Sequence, residues 1–205
     1  MKQLYGKIFQ YLFMQRTIAG HKSVFPIRSG LFIVQWFARF HLEIVEKIGL
    51  ELCDRYPKAD RNLVTLLVWL HDYGKILDFD HQYETTLSAG QSVLKKLDFS
   101  AEEISQALDY AEQLDRKSEI DLSKAPLEVQ IVSSADGASH FIGPFFYLWW
   151  HENPEKPFED LMRDNIKKAE KDWKRKIVLP EVKKAFYQRY SFLLEQAGKI
   201  PEKFL

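Results

Sequence analysis

Residues 68–76 read Val-Trp-Leu-His-Asp-Tyr-Gly-Lys-Ile, and they place His71 beside Asp72 at the end of a strongly apolar stretch. Leu63, Val64, Leu66, Leu67, Val68 and Leu70 leave almost no polar side, which predicts a helix buried all round. Gly74 is expected to close that helix in the left-handed conformation, so His71 and Asp72 fall in its last turn. An imidazole and a carboxylate against buried surface are costly without a charged or hydrogen-bonded partner, and a divalent metal would serve.

A metal needs further ligands. Phe37, His41, Ile44, Val45, Ile48 and Leu52 recur at helical spacing, with Arg39, Glu43, Glu46 and Lys47 opposite, so His41 faces inward. Val129, Val132 and Asp136 lie three and four residues apart, so Asp136 also points inward from a helix. Ser133, Ser134, Ala135 and Ala138 beside it are small enough to admit a neighbouring helix. Each member alone has an ordinary explanation, as a core histidine bonded to a carbonyl or a capping aspartate. Together, His41, His71, Asp72 and Asp136 form a candidate set of metal ligands. Two imidazoles and two carboxylates suit Mn, Fe, Co, Ni or Zn better than Ca.

The order of a lone His41, the His71-Asp72 pair and a distant Asp136 resembles the HD-domain superfamily of metal-dependent phosphohydrolases. His71-Asp72-Tyr73-Gly74-Lys75 is similar to its signature, and Ser134-Ala135-Asp136-Gly137-Ala138 to its last ligand segment. The resemblance covers roughly residues 30–139. It implies an all-α orthogonal bundle, one divalent ion (Mn, Fe, Co, Ni, Zn or Mg) and hydrolysis of a nucleotide or related small phosphoester. Asp72 would help activate water, and Lys75 would neutralise phosphate as a point charge. His81 and Glu84 are candidate substrate contacts, each with a simpler reading as a solvated loop histidine and a helix-start charge. The two-metal branch of the superfamily carries extra histidines in the region after the signature and in the next helix. The helix from about residue 100 to 114 has none, which counts against a histidine-held second ion. The alternatives are a di-iron oxygenase of the same superfamily and a binding or regulatory module without turnover.

The elements that must position these residues are helical throughout. With 205 residues, 46% of them apolar, the chain is read as one all-α domain over residues 1–205, a motif-bearing core at about 30–139 and a helical extension at about 140–205. About seven to nine helices are expected. Helices are anticipated over residues 4–18, and from a Ser29 cap to about Tyr56 with Pro57 as a stop. Gly20 and Pro26 bound a loop holding His21, Lys22 and Arg28. Asp60 is a plausible cap for the central helix, residues 76–80 a loop at the site mouth, and Pro126 the first turn of the Asp136 helix. Residues 115–125 carry no apolar face and suggest an exposed connection.

The aromatic run 141–150 suits a core, a pocket wall or an oligomer face, with His140 and His151 satisfying local polar groups. Lys167, Lys168, Lys171, Lys174, Arg175 and Lys176 read as a solvated helix face, with Trp173 as its anchor. A last helix is expected from about Pro180 to Gln196. Twenty-nine basic and 29 acidic residues cancel, so no global field recruits nucleic acid or an anionic membrane. The single cysteine, Cys53, fits a reducing compartment, and the N-terminal stretch resembles neither a signal peptide nor a membrane span. These features point to a cytoplasmic protein, and the family resemblance implies a small phosphorylated substrate.

Overall fold

A computed structural model of the chain describes residues 37–78 and 80–198 together with Lys203. The expectations for residues 4–36 lie outside these. The described residues are helical, without a strand: α1 (Glu43–Arg55), α2 (Arg61–Leu70), α3 (Tyr73–Leu77), α4 (Gln82–Lys96), α5 (Ala101–Asp115), α6 (Leu127–Ser139), α7 (Phe145–Glu152), α8 (Phe158–Lys171) and α9 (Pro180–Gly198). Two wider π-helical turns, Phe37–Leu42 and Asp172–Lys176, lead into α1 and extend α8. Among the described residues no helix is long and apolar enough to cross a membrane.

The starts of these helices are written in local chemistry. The Asp60 carboxylate accepts from the amides of Asn62 and Leu63. Ser100 and Glu103 form a reciprocal capping box on α5. Pro126 stands at the N-cap of α6, where its missing amide costs nothing.

Helix α2 is the centre of the core, with Val64, Leu67 and Val68 completely buried. It packs on α1, α5 and α6, and α1 packs on α6 and on the π turn bearing His41, so the end of α2 that leads to His71 and Asp72 neighbours the helix bearing Asp136. The inward faces of α1 and α6 follow the expected period, with Val45, Leu52, Val129 and Val132 buried.

Several expectations are corrected. Helix α2 ends at Leu70, and His71 and Asp72 form the turn into α3, which occupies part of the anticipated loop. Gly74 lies within α3 and does not take a left-handed conformation; among the described glycines only Gly143 has positive φ. Its role is close approach. A Cβ there would fall 1.8 Å from the Gln82 carbonyl oxygen and 2.6 Å from Thr86 Oγ1, so only glycine lets α3 lie against α4. The 115–125 connection is not simply exposed, since Leu122 is buried and Asp115 and Lys117 are half-buried. The basic run is also split. Lys167, Lys171, Lys174 and Arg175 are exposed, whereas Lys168 is half-buried and Asp172 and Lys176 are buried.

That burial follows from α6. Ser133 Oγ donates to the Lys176 carbonyl at 2.9 Å, while Ser134 Oγ accepts from the amides of Val178 and Leu179 at 3.1 and 3.2 Å. Gly137 completes the contact, because a Cβ there would be 2.8 Å from Lys176 Cβ. The small residues around Asp136 thus receive the 172–179 segment.

Candidate metal centre

His41, His71, Asp72 and Asp136 meet at one buried place. Their relative exposures are only 3%, 6%, 6% and 7%. Ligand atoms of His41, His71 and Asp136 all lie within 4.8 Å of one another. Asp72 Oδ2 is 3.5 Å from His41 Nε2 and 3.4 Å from His71 Nε2, and Asp136 Oδ1 is 3.5 Å from His41 Nε2.

The hydrogen bonds behind the rings determine what they present. His71 Nδ1 is 2.8 Å from the Val68 carbonyl, an acceptor, so Nδ1 carries the proton and Nε2 a lone pair. Ser139 donates its hydroxyl proton to the Asp136 carbonyl at 2.7 Å, so its oxygen accepts from His41 Nδ1 at 3.1 Å. His41 Nε2 is turned towards Asp72 Oδ2 and Asp136 Oδ1. His71 Nε2, Asp72 Oδ2 and Asp136 Oδ1 have no hydrogen-bond partner although each is buried. Several acceptor atoms facing one another without a proton are an unfavourable arrangement in low dielectric, and a cation between them removes the repulsion. The donor set fits a first-row divalent ion.

Each carboxylate turns its other oxygen to a lysine. Lys75 Nζ is 2.6 Å from Asp72 Oδ1, and Lys176 Nζ is 2.5 Å from Asp136 Oδ2. Burial opposes ionisation of Asp72, but the charges around it, with the Lys75 ammonium on Oδ1, outweigh it and hold its carboxyl well below the usual range. Burial opposes ionisation of Asp136 likewise, and Lys176, followed by the histidines, overcomes it. Burial would lower the Lys176 ammonium, yet Asp136 and Asp172 hold it above its ordinary value. Burial pushes His41 down, keeping it neutral and ready to ligate.

Outside this set, His140 Nε2 lies 3.3 Å from Asp136 Oδ1, and its Nδ1 lies 2.7 Å from Asp172 Oδ2. Lys168 pairs with the same Asp172 oxygen. Burial and Lys168 lower His140 to about 3, Asp172 acting in the opposite sense. Burial would raise Asp172, but His140 and the two lysines keep it ionised. At the edge of the centre, burial raises Asp115 to about 6, and Lys117, Asp72, His71 and Lys75 are within electrostatic range of it.

Lys75 is thus a partner of Asp72, and its side chain remains 31% exposed. His81 and Glu84 are exposed at the start of α4. His81 pairs with Asp78 at 3.1 Å, and no hydrogen bond or ion pair joins His81 or Glu84 to the four buried residues. The sequence reading missed Lys176, Asp172 and Lys168 because they sit in a run whose charge suggests solvent. His140 was visible as the residue one helical turn after Asp136, on the same face. No protein-family model, no curated protein and no solved structure matches the chain.

Proposed function

We propose that this chain is a metal-dependent phosphohydrolase of the HD-domain kind, an orthogonal helical bundle hydrolysing a nucleotide or related small phosphoester. The observation that carries the reading is the buried convergence of His41, His71, Asp72 and Asp136, with His71 Nε2, Asp72 Oδ2 and Asp136 Oδ1 lacking hydrogen bonds. The resemblance of the His71–Lys75 and Ser134–Ala138 strings supplies the reaction class. A divalent ion held there would polarise a phosphoryl oxygen and bring the pKa of a coordinated water towards neutrality.

The chain's own residues do the rest. Lys75 and Lys176 each grip one oxygen of a ligand carboxylate, which keeps both ionised and fixes the free oxygens in place. The charges of Asp72 and Asp136 are cancelled by those two lysines. A bound divalent ion would therefore leave the centre net positive, a field that favours a phosphate anion over a neutral substrate. Lys75 is the partly exposed member of the two clamps, so its ammonium lies on the solvent side, where it can also contact a phosphate oxygen.

The test is elemental analysis of protein purified without chelator, followed by phosphate release from a panel of nucleotides and sugar phosphates with Mn, Co, Ni, Zn or Mg. One ion per chain, with phosphate release that Asp72→Ala eliminates, is expected. Metal-free protein that takes up none of these ions would refute the centre. A loaded protein inert on every phosphoester would refute the reaction.

A further inference from the structure

His140 follows Asp136 by one helical turn, and its ring lies against the centre without belonging to the four-residue set. Asp172 is buried with Lys168 and Lys176 on its two oxygens, a paired carboxylate that accepts a proton and does not donate one. Its 2.7 Å contact with His140 Nδ1 therefore places the ring proton on Nδ1. Lys168 Nζ, 3.2 Å from Nδ1, makes its closer contact to the Asp172 oxygen and does not compete for that proton. The lone pair of His140 is left on Nε2, and Nε2 faces Asp136 Oδ1 at 3.3 Å.

This is the arrangement already found at His71: Nδ1–H anchored on an acceptor and Nε2 turned inward. The ring cannot readily swing away. It is stacked on Phe145 at 3.9 Å between centroids and lies nearly parallel to His41 at 5.2 Å and 13°. A histidine kept only to satisfy Asp172 has no need to aim its second nitrogen at a carboxylate oxygen that lacks a hydrogen bond.

We infer that His140 is a fifth protein donor of the metal centre, ligating through Nε2, with Asp172 as the carboxylate that orients it and Lys168 as the cation that holds Asp172. The inference rests on the metal reading above and changes its character. Three imidazoles with two carboxylates favour Fe, Co, Ni or Zn over Mg, because imidazole is a poor ligand for the harder ion. Five protein donors would leave the ion less room for water and a substrate oxygen than four.

Proton NMR of the Co(II)-loaded protein tests this without any activity measurement. Each ligating imidazole should contribute one strongly shifted, exchangeable Nδ1–H resonance that is present in H2O and lost in D2O. His41, His71 and His140 together should give three such resonances, and His140→Phe, which keeps a ring between Phe145 and His41, should give two. The wild-type count decides the matter even if the variant folds poorly. Co(II) bound with only two resonances in the wild type would overturn the fifth donor and leave the four-residue centre standing. Failure to bind Co(II) at all would overturn both. A variant that binds Co(II) and retains all three would assign the third signal elsewhere and overturn the role of His140.

Discussion

Lys176→Met removes the ammonium that holds Asp136 while keeping most of the apolar stem in its packing. In the wild type Lys176 is 5% exposed and its Nζ sits 2.5 Å from Asp136 Oδ2 and 3.9 Å from Asp172 Oδ1. Asp172 retains Lys168 in the variant, but Asp136 loses the one ammonium within ion-pair distance among the described residues. Stripping one partner from a buried pair costs about 3–5 kcal/mol, because the remaining charge stays desolvated. For a domain of this size that corresponds to a fall in Tm of about 6–20 °C. The sign with pH follows from Asp136. Its folded-state pKa lies below the ordinary value, so the wild type holds this increment at neutral pH and loses it as pH falls through the folded pKa. Without Lys176 the buried carboxyl prefers its proton, so the gap between variant and wild type should be full at pH 7 and shrink below about pH 4. Thermal unfolding followed by circular dichroism in chelator at pH 7 and pH 3.5 measures both. Lys174→Met is the control: it lies in the same run, 64% exposed and paired with Glu170 at 2.7 Å, and should cost only about 0.3–0.5 kcal/mol. A Lys176→Met protein within about 1 kcal/mol of wild type, or an equal deficit at both pH values, would refute the buried-clamp argument.

Three further outcomes are expected. Gly74→Ala should destabilise by about 3 kcal/mol or more, and Gly74→Asn should be worse, since the added atoms meet the Gln82 backbone; a left-handed glycine would instead tolerate Asn better than Ala, so denaturant unfolding of the pair decides. Burial raises Asp115 to about 6, so the folded chain binds that proton more tightly than the unfolded one, and the wild type should gain stability as pH falls from about 6 to 4. Asp115→Asn should remove that pH dependence and, after discounting for partial exposure, be about 1–2 kcal/mol more stable than wild type at pH 8 and equal to it near pH 4, as read by urea titration at the two pH values. Asp72→Ala should abolish metal uptake while the chelator-treated variant melts no lower than wild type, because the acceptor repulsion at Asp72 Oδ2 disappears and the partly exposed Lys75 can turn to water; retained metal, measured by elemental analysis, would remove Asp72 from the ligand set.

The amino-acid sequence alone determined the helices and which way their residues face. Asp60, Ser100 and Pro126 start helices through bonds or dihedral constraints spanning a few residues, and the 3.6-residue period turns His41 and Asp136 towards the core. Both are local effects, legible one segment at a time. Tertiary structure decided what happens at the far ends of the side chains. Lys176 and Asp136 are 40 residues apart, and nothing in the alternation of charge around Lys176 distinguishes it from the exposed Lys174. A lysine has an apolar stem and a charged tip, so its burial depends on whether a carboxylate waits at the end of the stem. The small residues of α6 and the π-helical turn at Asp172–Lys176 together bring that carboxylate within reach. Lys75 differs, since its partner Asp72 lies only three residues before it. The tautomers of His41, His71 and His140 were undecidable from sequence for the same reason as the burial of Lys176. Each is set by one acceptor behind the ring, and for His41 and His140 that acceptor comes from an element remote in the chain.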